Sequence, residues 1–203
     1  PAAPLFEAVP GLDRLIVVEK RRFHSHWLSL WAACVTTRWD RIYDLRGSMI
    51  GSLLLGGEKQ AGAYRDNTIH RVEELGRMVN VAPPPAPKIW VSDEVQAAAA
   101  ALVSGSRKVL AVGPTANWGG KQWPADRFAA LVRRATDPDG ILPGAAVAVL
   151  GAGSERDMAA PVLDALPKDR LIDLVGQPLP VAAACIEQCA LYGRHTGASI
   201  AVE

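Results

Sequence analysis

The chain has 203 residues, 49% of them hydrophobic, and its 22 basic and 21 acidic side chains leave a net charge of +1. That balance supplies no field favouring nucleic acid, and the apolar content is too high for a disordered chain. No apolar run approaches the roughly 18 residues of a membrane span, and the stretch around Met49 to Leu55 is broken at Gly51. The opening Pro1-Ala2-Ala3-Pro4 carries neither an initiator Met nor a basic signal-peptide start, so it reads as a processed or truncated end. Three cysteines, Cys34, Cys185 and Cys189, form no even framework and fit a reducing, cytoplasmic compartment.

Strand and helix signals alternate along the chain. Leu15 to Glu19 is a β-branched run that predicts a strand, and His26 to Val35 places Trp27, Leu30, Trp31 and Cys34 at helical spacing. Arg41 to Leu45 predicts a strand. Ser48 to Leu55 predicts a helix capped by Ser48 and stopped by Gly56-Gly57. Thr68 to Val79 predicts another helix, with Thr68 as its cap. Four prolines between Ala82 and Lys88 then make a stiff, extended linker.

Beyond the linker the alternation is more regular. Helices are predicted at 93–103, 126–135, 155–166 and 181–187, and strands at 109–112, 145–150 and 171–174, with another strand starting at 190–192. Strands alternating with helices imply parallel sheets covered on both faces. The expected organisation is therefore two α/β domains, residues 1–88 ending in the linker and residues 89–203.

Ligands of doubly wound sheets bind beyond the carboxyl ends of strands. Three loops hold such positions: Gly113 to Trp123, Gly151 to Glu155, and Gly193 to Ser199. The first reads GPTANWGGKQW between a buried-strand pattern and a helix. Its glycines let backbone approach a phosphate, and Lys121 supplies a flexible positive charge. It is not a Walker motif, because Gln122 follows the lysine where Ser or Thr is required. The second loop matches a dinucleotide fingerprint at Gly151 and Gly153, but Arg156 stands at the third glycine position. No His/Cys/Asp cluster stands at metal-ligand spacing, and no metal or cofactor is expected.

The order GPTANWGGKQWPADRFAALVRR, VAVLGAGSERD, LIDLVGQ and a TGAS tail resembles glycosyltransferase family 9, the ADP-heptose:lipopolysaccharide heptosyltransferases. Its most specific part is Lys121, Trp123, Pro124, Arg127 and Phe128. PLFEAVPGLDRLI, RWDRIYDLRGS and the segment around His70 resemble the family's acceptor-side domain. The resemblance implies a GT-B architecture of two Rossmann-like domains, each incomplete here. It also implies metal-independent, inverting transfer of a heptose, or a related sugar, from an ADP-activated donor to the lipopolysaccharide inner core. The implied partners are a nucleotide-sugar donor and a lipid-linked saccharide acceptor, with no nucleic acid. The implied location is the cytoplasm, with peripheral contact at the inner membrane's cytoplasmic face.

By the same resemblance, Lys121 contacts the donor diphosphate, and Thr115 and Asn117 hold the phosphate-binding stretch. Glu155 accepts from the ribose hydroxyls, and Thr196 and Gly197 face the phosphates. The third loop departs from the family at His195, which stands in place of an aspartate. The family's general-base aspartate falls in a loop outside this chain, so no catalytic residue is assigned. The resemblance therefore implies truncation at both ends. Two other readings stay open: a non-catalytic nucleotide-sugar-binding remnant, and an NAD-dependent oxidoreductase using Gly151 to Glu155.

Several residues carry plainer structural readings beside the functional ones. Glu155 is also a favourable helix-start acid, and Trp123 suits packing of the loop onto its helix. Cys185 and Cys189 suit the core. His24 and His26, beside Lys20, Arg21 and Arg22, read either as a solvated helix entry or as a face toward an anionic acceptor. His70 is open between the acceptor side and solvent, and Asp44 and Arg46 between a functional pair and an internal one.

Overall fold

A computed structural model describes residues 2–20, 22–61, 68–105, 107–116, 118–195 and 200–202. The chain divides into two units, Leu12–Lys88 and Ile89–Glu203 together with Pro1–Gly11. The first eleven residues therefore group with the second unit, whereas the sequence placed them in the first domain.

In the first unit, helix α1 (His26–Cys34) precedes strand β1 (Trp39–Asp44), which pairs in parallel with β2 (Gly56–Ala61). The indole N–H groups of Trp31 and Trp39 fasten α1, donating to Leu53 O at 3.3 Å and Cys34 O at 3.1 Å. Helix α2 (Arg71–Met78) follows.

Four local expectations fail in this unit. Leu15 to Glu19 forms no regular element and joins no sheet among the described residues, leaving Val17 and Val18 exposed. A β-branched run becomes a strand only when an edge is available to pair with it. Ser48 to Leu55 forms only a 3-10 turn at Ile50–Leu53 with Met49 at its start, and the Ser48 hydroxyl instead donates to Asp44 Oδ2 at 2.7 Å. Gly56-Gly57 opens β2 instead of ending a helix: a Cβ on Gly57 would stand 2.9 Å from Asp40 O. The cap of α2 is His70, whose Nδ1 accepts from Val72 N at 3.3 Å, and not Thr68.

The second unit is built as its sequence pattern dictates. Helix α3 (Asp93–Val103) is capped by the Ser92 hydroxyl, which accepts from Val95 N, and carries Asp93 and Glu94 in its first turn. Then come β3 (Val109–Gly113), α4 (Ala125–Thr136), β4 (Ala146–Gly151), α5 (Arg156–Ala165), β5 (Leu171–Val175), α6 (Leu179–Glu187), β6 (Leu191–His195) and β7 (Ile200–Val202). The sheet order is β5-β4-β3-β6-β7. All pairings are parallel except β6 with β7, which is antiparallel and so departs from the all-parallel expectation.

Alternation along the strands divides the core between the two faces. Leu110, Val112, Val147 and Val149 pack against Phe128 and Val132 of α4 and Val162 of α5. Val109, Ala111, Ala148 and Leu150 pack against Ala99 and Val103 of α3 and Ala184 and Cys185 of α6. The apolar run of β3 is thus buried on both sides, as a central parallel strand requires. Cys185 lies in this core, and burial pushes the thiol of Cys189 up to about 11, so both sulfurs stay protonated packing groups.

One surface network holds the β4 and β5 exits together. Arg156 donates to Asp173 Oδ2 at 2.8 Å, to Asp173 Oδ1 at 3.3 Å and to Val175 O at 2.9 Å. Asp173 Oδ1 also accepts from Val175 N at 3.0 Å. Burial alone would raise the Asp173 carboxyl. The Arg156 and Val175 hydrogen bonds and the charges of Arg156 and Lys168 outweigh it and hold the carboxyl below its ordinary value.

Two predictions follow from this packing. Phe128 is 3% exposed and Leu131, one helical step away, is 38% exposed. Phe128→Ala is expected to lower unfolding free energy by about 3–5 kcal/mol, and Leu131→Ala by well under half of that, as read by denaturant titration. Asp173→Asn is expected to cost about 1 kcal/mol or less at neutral pH, because the pair is solvent-screened. A depressed carboxyl stabilises the fold above its unfolded pKa and loses that contribution as pH falls through the folded value. The wild-type advantage over Asp173→Asn should therefore be full above about pH 5 and close as pH drops below about 4.

Candidate nucleotide site at the strand ends

The sheet order locates the site. The chain winds outward from β3 to β4 to β5, then crosses back so that β6 lies on the other side of β3. Strand order reverses between β3 and β6, and crevices at such reversals receive ligands. The loop leaving β3 is Gly113 to Trp123. The loop leaving β6 begins after His195; Thr196 and Gly197 lie outside the described residues, as does Asn117.

The β3 loop is tied at its neck and turned at its tip. Pro114 is buried, and Thr115 and Ala116 are half-buried. Residues Gly119–Lys121 form one 3-10 turn, closed by Lys121 N donating to Trp118 O at 2.9 Å and Gln122 N to Gly119 O at 3.0 Å. The turn leaves Lys121 exposed. The Trp118 indole lies back across the turn, so a Cβ on Gly120 would come within 2.9 Å of the ring. Gln122 Nε2 donates to Ala116 O at 2.7 Å and reaches Met158 Sδ of α5 at 3.0 Å, fixing the neck. Trp123 packs edge-on against Phe128, with ring centroids 5.8 Å apart. A hollow of about 300 Å³ beside the loop is lined by Pro114, Gly119, Gln122, Trp123 and Met158.

The β4 loop adds the acidic partner. Residues Gly153–Glu155 make a 3-10 turn leading into α5. Glu155 Oε2 accepts from Ala152 N at 3.0 Å and from Thr115 Oγ1 at 2.7 Å. Of the residues expected to bind donor, the structure thus joins Thr115 to Glu155 and carries Lys121 on the same loop as Thr115. The acid that caps its own turn also bridges to β3, so the helix-start reading of Glu155 and its place beside the β3 loop hold together.

The β4 loop does not suit a dinucleotide. Arg156, at the third glycine position, is committed to Asp173 and Val175. Sequence reasoning missed this pair, and also missed the role of Gln122. The pair becomes visible once β4 and β5 are neighbours, since Asp173 stands in register with Val149. Gln122 carried a weaker signal, an amide placed directly between the lysine and the Trp-Pro that anchors the loop.

In the first unit, Lys20, His24, His26, Trp27 and Arg46 line a hollow of about 430 Å³. His26 is buried, with its ring 5.9 Å from His24 and 5.2 Å from Trp27. Asp44 accepts from the backbone N–H of Arg46 at 3.0 Å and from Ser48, which closes the turn after β1. His70 is an exposed helix cap.

The profile of glycosyltransferase family 9 (heptosyltransferase) matches residues 63–168. No curated protein matches. Two solved structures share the fold: the glycosyl transferase family 9 protein from Veillonella parvula DSM 2008 and the E. coli ADP-heptose lps heptosyltransferase II. The first is 20% identical, over 93% of this chain and 62% of its own, with TM-score 0.71. The second is 18% identical, over 94% of this chain and 66% of its own, with TM-score 0.65. The chain thus spans just under two thirds of each of these structures, whose likeness establishes a GT-B-like α/β fold. With more than half of its residues matched by the family profile, the chain belongs to glycosyltransferase family 9.

Proposed function

We propose that this protein transfers a heptose, or a related sugar, from an ADP-activated donor to the lipopolysaccharide inner core, with inversion and without a metal ion. The observation that carries the reading is the pair of loops tied together at the strand ends: Thr115 bonded to Glu155 at 2.7 Å, and Lys121 exposed on the glycine turn of the same β3 loop. Glu155 offers a carboxylate to ribose hydroxyls. Lys121 offers the charge that a departing diphosphate needs when no metal supplies it. Asn117, Thr196 and Gly197 complete the proposed donor set.

The chemistry divides between the units. The second unit, residues 89–203, holds the donor and stabilises the leaving group. The first, within residues 1–88, receives the acceptor; its basic, histidine-lined hollow suits an anionic saccharide. No helix among the described residues is long and apolar enough to cross a membrane. The proposed acceptor is lipid-linked, met by peripheral contact at the cytoplasmic face of the inner membrane. Deprotonation of the attacking hydroxyl is not assigned to a residue of this chain. The second reading is donor binding without transfer.

Lys108 stands at the amino end of β3, opposite the loop, and serves as the control cation. Lys121→Ala is expected to weaken ADP binding about tenfold or more, the effect of losing one charge-assisted contact, while Lys108→Ala leaves it unchanged. Calorimetric titration measures both, and equal affinities in the two variants would overturn the donor-site assignment. Transfer from ADP-heptose to an acceptor lipid separates the enzyme from the binding-only reading.

A further inference from the structure

We propose that Thr115 is a positioning residue acting through Glu155, and that the two together make the site selective for a ribonucleoside diphosphate over its 2′-deoxy counterpart. The inference rests on reading the β3 loop as a nucleoside-diphosphate site.

The sequence resemblance gives Thr115 to the phosphates. The hydrogen bonds give it another task. A threonine hydroxyl has one proton to donate, and here that proton goes to Glu155 Oε2 at 2.7 Å. What remains on Thr115 Oγ1 is lone pairs, which a phosphate oxygen repels. The bond also spans 40 residues of sequence, joining the exits of two neighbouring strands.

Glu155 is thereby fixed. Its Oε2 takes both the Thr115 hydroxyl and the Ala152 amide. Among the described residues no hydrogen bond is recorded to Oε1. A carboxylate pinned through one oxygen presents the other as an acceptor in a set direction, and it is half-buried, where such an acceptor is stronger than in water. The vicinal hydroxyls of ribose are two donors; a 2′-deoxyribose has lost one of them. A site built to accept a hydroxyl discriminates against the analogue lacking it, provided the acceptor cannot swing away.

Gly151 makes the arrangement sterically possible. A Cβ there would lie 3.2 Å from Thr115 Oγ1 and 3.8 Å from Glu155 Oε2, in the space the hydroxyl uses to reach the carboxylate. The absence of a side chain at 151 and the hydroxyl at 115 thus belong to one device.

The test compares ADP, 2′-deoxy-ADP and AMP by calorimetry on the full 203-residue chain, in wild type, Thr115→Val, Thr115→Ser and Lys121→Ala. The wild type is expected to prefer ADP over 2′-deoxy-ADP about tenfold, and Thr115→Val to bring that preference close to unity. The preference for ADP over AMP should stay as in wild type, and Thr115→Ser should restore the ribose preference. An unchanged ribose preference in Thr115→Val overturns the inference. So does a loss of the ADP-over-AMP preference alone, which would make Thr115 a phosphate ligand. If ADP binding depends on Lys121 yet the ribose preference survives Thr115→Val, this inference alone fails. If the wild-type chain does not bind ADP, the nucleoside-diphosphate reading fails with it.

Discussion

The constraint on which the second unit depends is the burial of β3 on both faces. Every side chain from Val109 to Val112 is almost fully removed from solvent, between α4 and α5 on one face and α3 and α6 on the other. Such a strand has no face left for polar chemistry. It can only carry function past its carboxyl end, and the chain places the Gly113 to Trp123 loop there. Because β4 and β6 flank β3, the exits of three strands converge at one edge of the sheet. The site is thus a consequence of the core, not an addition to it.

The β3 loop is held at several points along its length. Gln122 binds the neck, Trp123 leans on Phe128, and Thr115 crosses to Glu155. On the far side of β4, Arg156 and Asp173 brace the neighbouring exit. One of these contacts is apolar and the others satisfy polar atoms that the strand ends would otherwise leave to water. The exposed ammonium of Lys121 thus sits on a turn whose backbone is already ordered, which lowers the entropic cost of closing on a ligand.

The second unit was far more legible in sequence than the first, and the reason is physical. A continuously apolar strand followed by an amphipathic helix leaves one solution, so 109–112, 145–150 and 171–174 emerged as strands and 93–103 as a helix almost to the residue. In the first unit local preference and tertiary context disagree. Leu15 to Glu19 has strand propensity without a neighbour, and Gly56-Gly57, a helix-stop pair by propensity, serves the close approach of two backbones. Spacing also cannot disclose pairs set by strand adjacency. Thr115 and Glu155 were each singled out as donor ligands, yet their bond to each other depends on β3 lying beside β4. Arg156 and Asp173 escaped notice for the same reason.

The Trp118 indole folded over Gly120 has a consequence for how this loop can vary. The ring occupies the volume that any side chain at 120 would need. That volume is held by the far edge of an exposed ring, which can swing aside into solvent. A smaller residue at 118 leaves the bare backbone at 120 untouched, whereas a side chain at 120 must first displace the ring. The turn that presents Lys121 can therefore drift at 118 first, and that replacement clears the space a later one at 120 would need.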